Sequence, residues 1–147
     1  RLYRRTPVQN LYVSWQEHPP SESVLNALIV KRGETSSIEM FHGIKRTTLV
    51  FGEKLMLTFF TYEKGAMMRP HKHPHEQASY VIKGRYTVKI GETERVMEEG
   101  DCYFVPPNVE HSQVALERTM SVDAFSPPRE EYKNKRAQSI PSKDFLS

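Results

Sequence analysis

Residues 65–84 read GAMMRPHKHPHEQASYVIKG, and the interpretation of the whole chain begins with this stretch. His71 and His73 are separated by one residue, and Gln77 follows four positions after His73. Because alternate side chains of a β-strand share a face, we expect both imidazoles to point inward at one ion. Imidazole nitrogen is a ligand that first-row transition metals accept readily. The stretch therefore predicts a metal site carried by a β-strand.

A second stretch, GDCYFVPPNVEH at residues 100–111, ends in another histidine, His111. Its glycine and prolines are residues that turns require. One divalent transition metal is expected here, with coordination positions left for water or a substrate. The four predicted ligands are His71, His73, Gln77 and His111. Ni, Zn, Fe, Mn and Co all accept such a set, so the ligand types leave the metal open.

Two residues beside the predicted ligands offer alternatives. Pro74 removes a backbone donor, so strand alternation is expected to break before His75, which we assign to the rim of the site or to a position behind the ligands. Glu76 would replace Gln77 as the ligand if a β-bulge shifted the register. The spacing favours Gln77, whose neutral amide oxygen would leave the ion its full charge. Such an ion polarises substrate oxygens better than it activates dioxygen.

Short segments rich in β-branched and aromatic residues follow one another along most of the chain. No long amphipathic helix is visible, so the pattern predicts an all-β, antiparallel sandwich or barrel. Tight hairpins are expected at Lys83-Gly84 and Gly91-Glu92. The predicted strands are 27–31, 37–41, 47–51, 55–62, 79–82, 85–90, 93–97, 102–105, 114–116 and 121–125.

The 147 residues are expected to form one domain with a segment at each end. Residues 27–129 are assigned to the barrel and residues 130–147 to a polar C-terminal tail. Residues 1–26 contain scattered aromatics and a proline pair, and we interpret them as an extended arm. The arm would cover either its own barrel or an exposed sheet edge of a second subunit, and a homodimer is expected.

Charge and composition exclude several classes of protein. The net charge is +3, but Lys and Arg are spread along the chain without the basic stripe of a nucleic-acid-binding protein. A mild positive balance suits a small anionic substrate. The longest apolar run, residues 27–30, is far too short to cross a membrane. One cysteine, Cys102, rules out a disulfide framework, and without a signal-peptide pattern the protein is expected to be cytoplasmic.

A second group of polar residues follows the last predicted strand. Asp123 and Phe125 are two positions apart and share a face, and Arg129 comes after Pro127-Pro128. In a functional interpretation, Asp123 is a general acid or base, Phe125 lines the pocket and Arg129 holds a substrate carboxylate. In a structural interpretation, Asp123 and Arg129 form an ion pair at the strand end while Phe125 belongs to the core.

The two histidine-containing stretches resemble the paired motifs of the cupin superfamily, over roughly residues 43–129. Two departures are Gln77, where those proteins usually have Glu, and Asn108, where they often have Gly. Four local strings are similar to those of the small KdgF-type cupins of pectin and alginate breakdown. They are GIKR (43–46), EKGA (63–66), HKHPHEQ (71–77) and DAFSPPR (123–129).

The resemblance implies an antiparallel jelly-roll barrel, the double-stranded β-helix of cupins. It also implies a metal-dependent enzyme of isomerase or lyase type that linearises and ketonises 4,5-unsaturated uronate monosaccharides. Asp123 and Arg129 would then be catalytic, with Phe125 and Arg129 binding the substrate. The same scaffold hosts other chemistries. The alternatives are another metal cupin enzyme (dioxygenase, isomerase, lyase or polyketide cyclase) and a non-catalytic cupin that binds a small molecule.

Overall fold

The structure, a computed structural model, describes Glu22 and residues 29–133. Residues 29–133 contain ten strands and one short helix. In chain order they are β1 (Ser37–Phe41), β2 (Ile44–Phe51), β3 (Met56–Tyr62), β4 (Met67–His71), β5 (Glu76–Lys83), β6 (Arg85–Ile90), β7 (Thr93–Glu98), β8 (Cys102–Val105), β9 (His111–Ala115), β10 (Thr119–Ser126) and α1 (Glu130–Lys133).

Two antiparallel sheets form the barrel. The larger sheet has the order β1-β2-β3-β10-β5-β8, and the smaller has the order β4-β9-β6-β7. Alternation along β5 shows how the sequence selects a face, since Gln77 and Val81 are buried while Glu76 and Tyr80 are exposed. The inward-facing apolar residues of both sheets form one core between them. The all-β, antiparallel architecture expected from the sequence is confirmed.

The prediction missed strand β4, and residues 29–31 of the strand predicted at 27–31 have no strand conformation. Pro70 hid β4, since proline lacks the backbone N–H of a regular ladder. The structure accommodates Pro70 because β4 is the edge strand of its sheet, and its pairing with β9 shifts between Met68 and His71.

The two predicted hairpins have different outcomes. Gly91-Glu92 does connect paired strands, because Ile90 lies opposite Thr93 in β6 and β7. Lys83-Gly84 is not a hairpin, since β5 and β6 belong to different sheets and the chain crosses between them there. Gly84 has φ +88°, and a Cβ atom at this position would lie 2.1 Å from the carbonyl oxygen of Arg118. Only glycine fits such an approach without a backbone shift.

Most of the two predicted terminal segments lies outside the described residues. Of the predicted arm only Glu22 is described, and of the predicted tail only residues 130–133, which form α1. Tyr132 of α1 is buried against the barrel with 4% of its surface exposed. No helix among the described residues is long and apolar enough to cross a membrane. The homodimer stays a prediction.

Candidate functional site

Three imidazoles meet at one end of the barrel. The candidate ligand atoms of His71, His73 and His111 all lie within 4.8 Å of one another. His71 ends β4 and His111 begins β9, where the two residues are direct pairing partners. His73 lies beyond the end of β4, so the expected sharing of a strand face does not explain its position. A loop, not strand alternation, brings His73 to the cluster.

Asn108 holds that loop in place. Its backbone N–H donates a 2.8 Å hydrogen bond to the carbonyl oxygen of His73. Asn108 has φ 62°, a left-handed conformation that asparagine tolerates better than most residues. Asparagine at position 108 is therefore compatible with this turn. The contact ties the loop of His73 to the loop that leads into His111.

Each imidazole is oriented by a backbone carbonyl. The Nδ1–H groups of His71, His73 and His111 donate hydrogen bonds of 2.8, 3.1 and 2.9 Å. The acceptors are, in that order, the carbonyl oxygens of Arg69, His75 and Val109. This tautomer leaves the Nε2 lone pair of every ring available to an ion.

The three rings are neutral near pH 7. Burial lowers the pKa of His73 and of His111 to about 4, and the positive charge of Arg129 also lowers both. The pKa of His71 is lowered as well, again chiefly by burial. A neutral imidazole is the form that binds a metal.

Gln77 completes the group of acceptors. Its Oε1 lies 3.1 Å from His73 Nε2, although neither atom carries a proton in the tautomer described above. His111 Nε2 is buried and has no hydrogen-bond partner among the described residues. His73 Nε2 and Gln77 Oε1 are two acceptors that face each other, and His111 Nε2 has an unused lone pair. This arrangement is unfavourable unless a cation binds between them. Two ligand atoms that are each about 2.1 Å from one ion would lie about 3 Å apart, close to the 3.1 Å between His73 Nε2 and Gln77 Oε1. The residues present therefore fit a divalent metal.

Asp123 determines which end of the Gln77 amide faces the histidines. Gln77 Nε2 donates to Asp123 Oδ2 at 3.0 Å and to Ser79 Oγ at 3.2 Å, so Oε1 must point the other way. Asp123 Oδ1 accepts a 2.9 Å bond from Ser121 Oγ. Burial raises the pKa of Asp123 to about 6, and the hydrogen bonds it accepts from Ser121, Ser79 and Gln77 oppose that rise.

The two alternatives beside the ligands lie elsewhere. Glu76 is exposed on the outer side of β5, so no bulge turns it inward in place of Gln77. The His75 ring lies 5.4 Å from the His73 ring, at the edge of the cluster. Its Nδ1 is buried and has no hydrogen-bond partner in the described part of the chain.

Phe125 and Arg129 lie beside the histidines. Phe125 is buried, and its ring packs edge-on against His73 at 5.7 Å. The ion pair of the structural interpretation is absent, because Arg129 pairs with Glu131 (Nη2 to Oε1, 2.6 Å) and not with Asp123. Asp123, Phe125 and Arg129 line the same small cavity as His71 and Gln77. Its volume is ≈ 10 Å³, about enough for one water molecule.

Sequence reasoning missed two residues near this cavity, Arg46 and Tyr132. Arg46 shares the inward face of β2 with Ile44, so strand alternation could have placed it in the barrel. Tyr132 lies in the segment interpreted as a polar tail, where no sequence signal distinguished it. The two side chains meet because α1 packs against β2.

This chain is similar to known proteins in sequence and in structure. A family model described as a cupin domain matches residues 58–121. The pectin degradation protein KdgF of Dickeya dadantii (strain 3937) is 37% identical over 101 residues, which cover 67% of this chain and 92% of that protein.

Two solved structures are also similar. KdgF from Halomonas sp. superposes with a TM-score of 0.67 at 30% identity, covering 70% of this chain and 96% of that one. An RmlC-like cupin from Shewanella frigidimarina NCIMB 400 gives a TM-score of 0.65 at 37% identity, covering 67% and 88%. The chain is therefore a member of the cupin superfamily and belongs to its family of KdgF-like proteins.

Proposed function

We propose that this protein is a metal-dependent enzyme that linearises and ketonises 4,5-unsaturated uronate monosaccharides. One observation carries the proposal. Three neutral imidazoles and an amide oxygen face a single point, and a buried carboxylate and an arginine line the adjoining cavity. Membership of a family that includes a pectin degradation protein supports a sugar acid as the substrate.

The substrate has a ring enol ether next to its carboxylate. The reaction breaks the bond between the hemiacetal carbon and the ring oxygen, and the hemiacetal hydroxyl loses its proton to give an aldehyde. The former ring oxygen becomes an enol oxygen, which relaxes to a ketone when the neighbouring ring carbon of the double bond takes up a proton. The product is an isomer of the substrate, so no oxidant or reductant is consumed.

His71, His73, Gln77 and His111 would hold the metal. The bound ion would supply positive charge to the substrate oxygens on which negative charge develops. All four ligands are neutral, which suits this role, because none of them cancels the charge of the ion. The ligands themselves need little reorganisation, since backbone carbonyls fix the three rings and Asp123 fixes the amide.

Arg129 and Phe125 would position the sugar. The Arg129 guanidinium binds a carboxylate through two nitrogens, as its present contacts with Glu131 illustrate. Phe125 offers an apolar wall beside His73. Asp123 lines the same cavity and would accept the hemiacetal proton and return a proton to carbon. This assignment makes Asp123 both an orienting partner of Gln77 and a proton carrier.

The test is loss of the absorbance of the conjugated double bond when metal-loaded protein meets unsaturated monouronate. Substrates derived from galacturonate and from mannuronate should both be tried. We expect rapid loss with the wild type and none above background with His111→Ala. His42→Ala, at an exposed histidine away from the site, is the matched control and should retain activity. If neither substrate loses its absorbance faster than background despite bound metal, the proposal is wrong, and oxygen uptake would then test for a dioxygenase.

A further inference from the structure

Arg46 is a buried guanidinium that the proposed mechanism does not use. Its exposed fraction is 4%, and its Nε has no hydrogen-bond partner among the described residues. Its Nη1 lies 3.5 Å from the sulfur of Met40, which is a weak acceptor. No carboxylate in residues 29–133 forms an ion pair with it. Because no carboxylate of the described residues pairs with this buried charge, an anion bound beside Arg46 would be favoured.

Tyr132 brings Arg46 and Arg129 to one place. The guanidinium carbon of Arg46 lies 3.7 Å from the centroid of the Tyr132 ring, and that of Arg129 lies 4.2 Å from it. The two positive groups therefore border the volume that one ring occupies. A ring face attracts cations, but less strongly than a carboxylate does.

Helix α1 fills the space that a ligand would need. Beside Tyr132, Glu131 presents its carboxylate to Arg129 Nη2 and Nε. The remaining cavity of ≈ 10 Å³ has room for about one water, whereas a monosaccharide needs several times the volume of a water molecule. A hydrogen bond from Thr48 Oγ1 to the Tyr132 carbonyl, at 2.9 Å, anchors the helix backbone to the barrel. A ring and a carboxylate on one short helix thus lie against Arg129, and the ring also lies against Arg46.

We propose that Arg46 acts with Arg129 to bind the carboxylate of an acidic sugar, and that Tyr132 of α1 occupies this site until the sugar displaces it. The inference rests on the proposed function for the class of substrate. It adds a second carboxylate-binding residue and a displaceable cover to the site. Displacement of α1 would free Arg129 from Glu131 and Arg46 from the Tyr132 ring together, since one helix carries both contacts.

The experiment is calorimetric titration of the metal-loaded protein with saturated galacturonate, which lacks the reactive double bond, and with neutral galactose. The wild type should bind galacturonate more tightly than galactose. Arg46→Gln should weaken galacturonate binding about tenfold or more and leave galactose binding unchanged. Tyr132→Ala should strengthen galacturonate binding, because no ring has to be displaced. Arg95→Gln, at an exposed arginine on β7, is the matched control and should bind as the wild type.

A structural role for Arg46 predicts a different pattern. If Arg46 served only to hold Tyr132, Arg46→Gln would lower the unfolding temperature of the metal-free protein and leave galacturonate affinity unchanged. We expect weaker galacturonate binding and little change in the unfolding temperature, because the lost contact with the Tyr132 ring is offset by removal of a buried charge that pairs with no carboxylate in residues 29–133. If Arg46→Gln fails to fold, Arg46→Lys keeps the charge without the planar fork and should still weaken binding.

Three outcomes would overturn the inference: no binding of galacturonate by the wild type, wild-type affinity in the Arg46 variants, or weaker binding in Tyr132→Ala. The proposed function can fail separately. Unsaturated uronates that are not turned over, together with Arg46-dependent binding of galacturonate, would reject the reaction and keep the acid site. Turnover of unsaturated uronates, together with galacturonate binding that does not depend on Arg46, would keep the proposed reaction and reject the role of Arg46.

Discussion

Gln77 Nε2 donates a 3.0 Å hydrogen bond to Asp123 Oδ2, and this contact favours an amide over a carboxylate at position 77. A glutamate at position 77 would place two buried carboxylates side by side, and they could not both ionise without a large cost. With glutamine, the Asp123 carboxylate has a donor and the histidines face an oxygen. The two positions therefore have to be considered together.

Gln77→Glu should destabilise the metal-free protein by about 1–3 kcal/mol at about pH 7.5, because a donor is replaced by a second acceptor beside Asp123. Adding Asp123→Asn restores a donor–acceptor pair and should recover most of that loss. Urea unfolding of both single variants and the double variant gives the coupling energy. Additive effects of the two substitutions would show that the contact does not determine the residue at position 77.

Metal binding should stabilise the fold and depend on His111. Zn²⁺ at about one hundred times its dissociation constant would add about 2.7 kcal/mol to the free energy of unfolding. We expect a corresponding rise in the melting temperature of the wild type and of His42→Ala. His111→Ala loses a buried Nε2 that has no other partner among the described residues, so its melting temperature should not respond. An equal rise in all three proteins would place the ion elsewhere.

The stability of the chelator-treated protein should fall as the pH falls from about 6 to 4. The pKa values of His73 and His111 are lowered from 6.5 to about 4, so the unfolded chain binds both protons first and stability is lost in acid. The pKa of Asp123 is raised from 3.8 to about 6, so its protonation stabilises the native state over the same range. These three groups together give a net uptake of about one proton on unfolding, a loss of about 1.4 kcal/mol per pH unit, and the lowered pKa of His71 adds to that loss.

Asp123→Asn removes the opposing proton and should steepen that slope by about 1.4 kcal/mol per pH unit. The measurement is urea unfolding at half-unit steps of pH in the presence of a chelator. The quantity to compare is the change in the free energy of unfolding per pH unit. The absolute free energies differ for another reason, because the substitution also changes hydrogen bonds at a fixed pH. An unchanged slope in Asp123→Asn would mean that Asp123 has an ordinary pKa in the native protein.

Gly84→Ala should destabilise the protein by about 3 kcal/mol or more. The new Cβ would lie 2.1 Å from the Arg118 carbonyl oxygen, and φ at this position is +88°. Gly65→Ala is the matched control, since Gly65 has φ +83° but no atom within 4 Å of the methyl group that alanine would add. It should cost only about 1 kcal/mol, which is the cost of the backbone conformation alone. Equal losses in the two variants, by urea unfolding, would contradict the proposed clash.

The strand pattern was predictable where local chemistry dominates. Residues 37–41, 85–90 and 102–105 were assigned as the structure has them, because β-branched and aromatic residues lie between clear turn signals. β4 was not predicted, since Pro70 is a poor strand residue and only the edge position of β4 accommodates it. The crossing at Lys83-Gly84 resembles a hairpin locally, and only the separation of β5 and β6 into two sheets distinguishes it.

The sequence by itself predicted the all-β fold, because residue types, spacings and turn residues are local properties, and its resemblance to the cupins predicted that His71, His73 and His111 lie together. The tertiary structure alone decided how those residues work together. The amide of Gln77 is oriented by Asp123, which lies 46 positions away, and Arg46 meets Tyr132 only because α1 packs against β2. Side-chain orientation and buried charge depend on neighbours that are distant in the chain, and a sequence pattern cannot supply those neighbours.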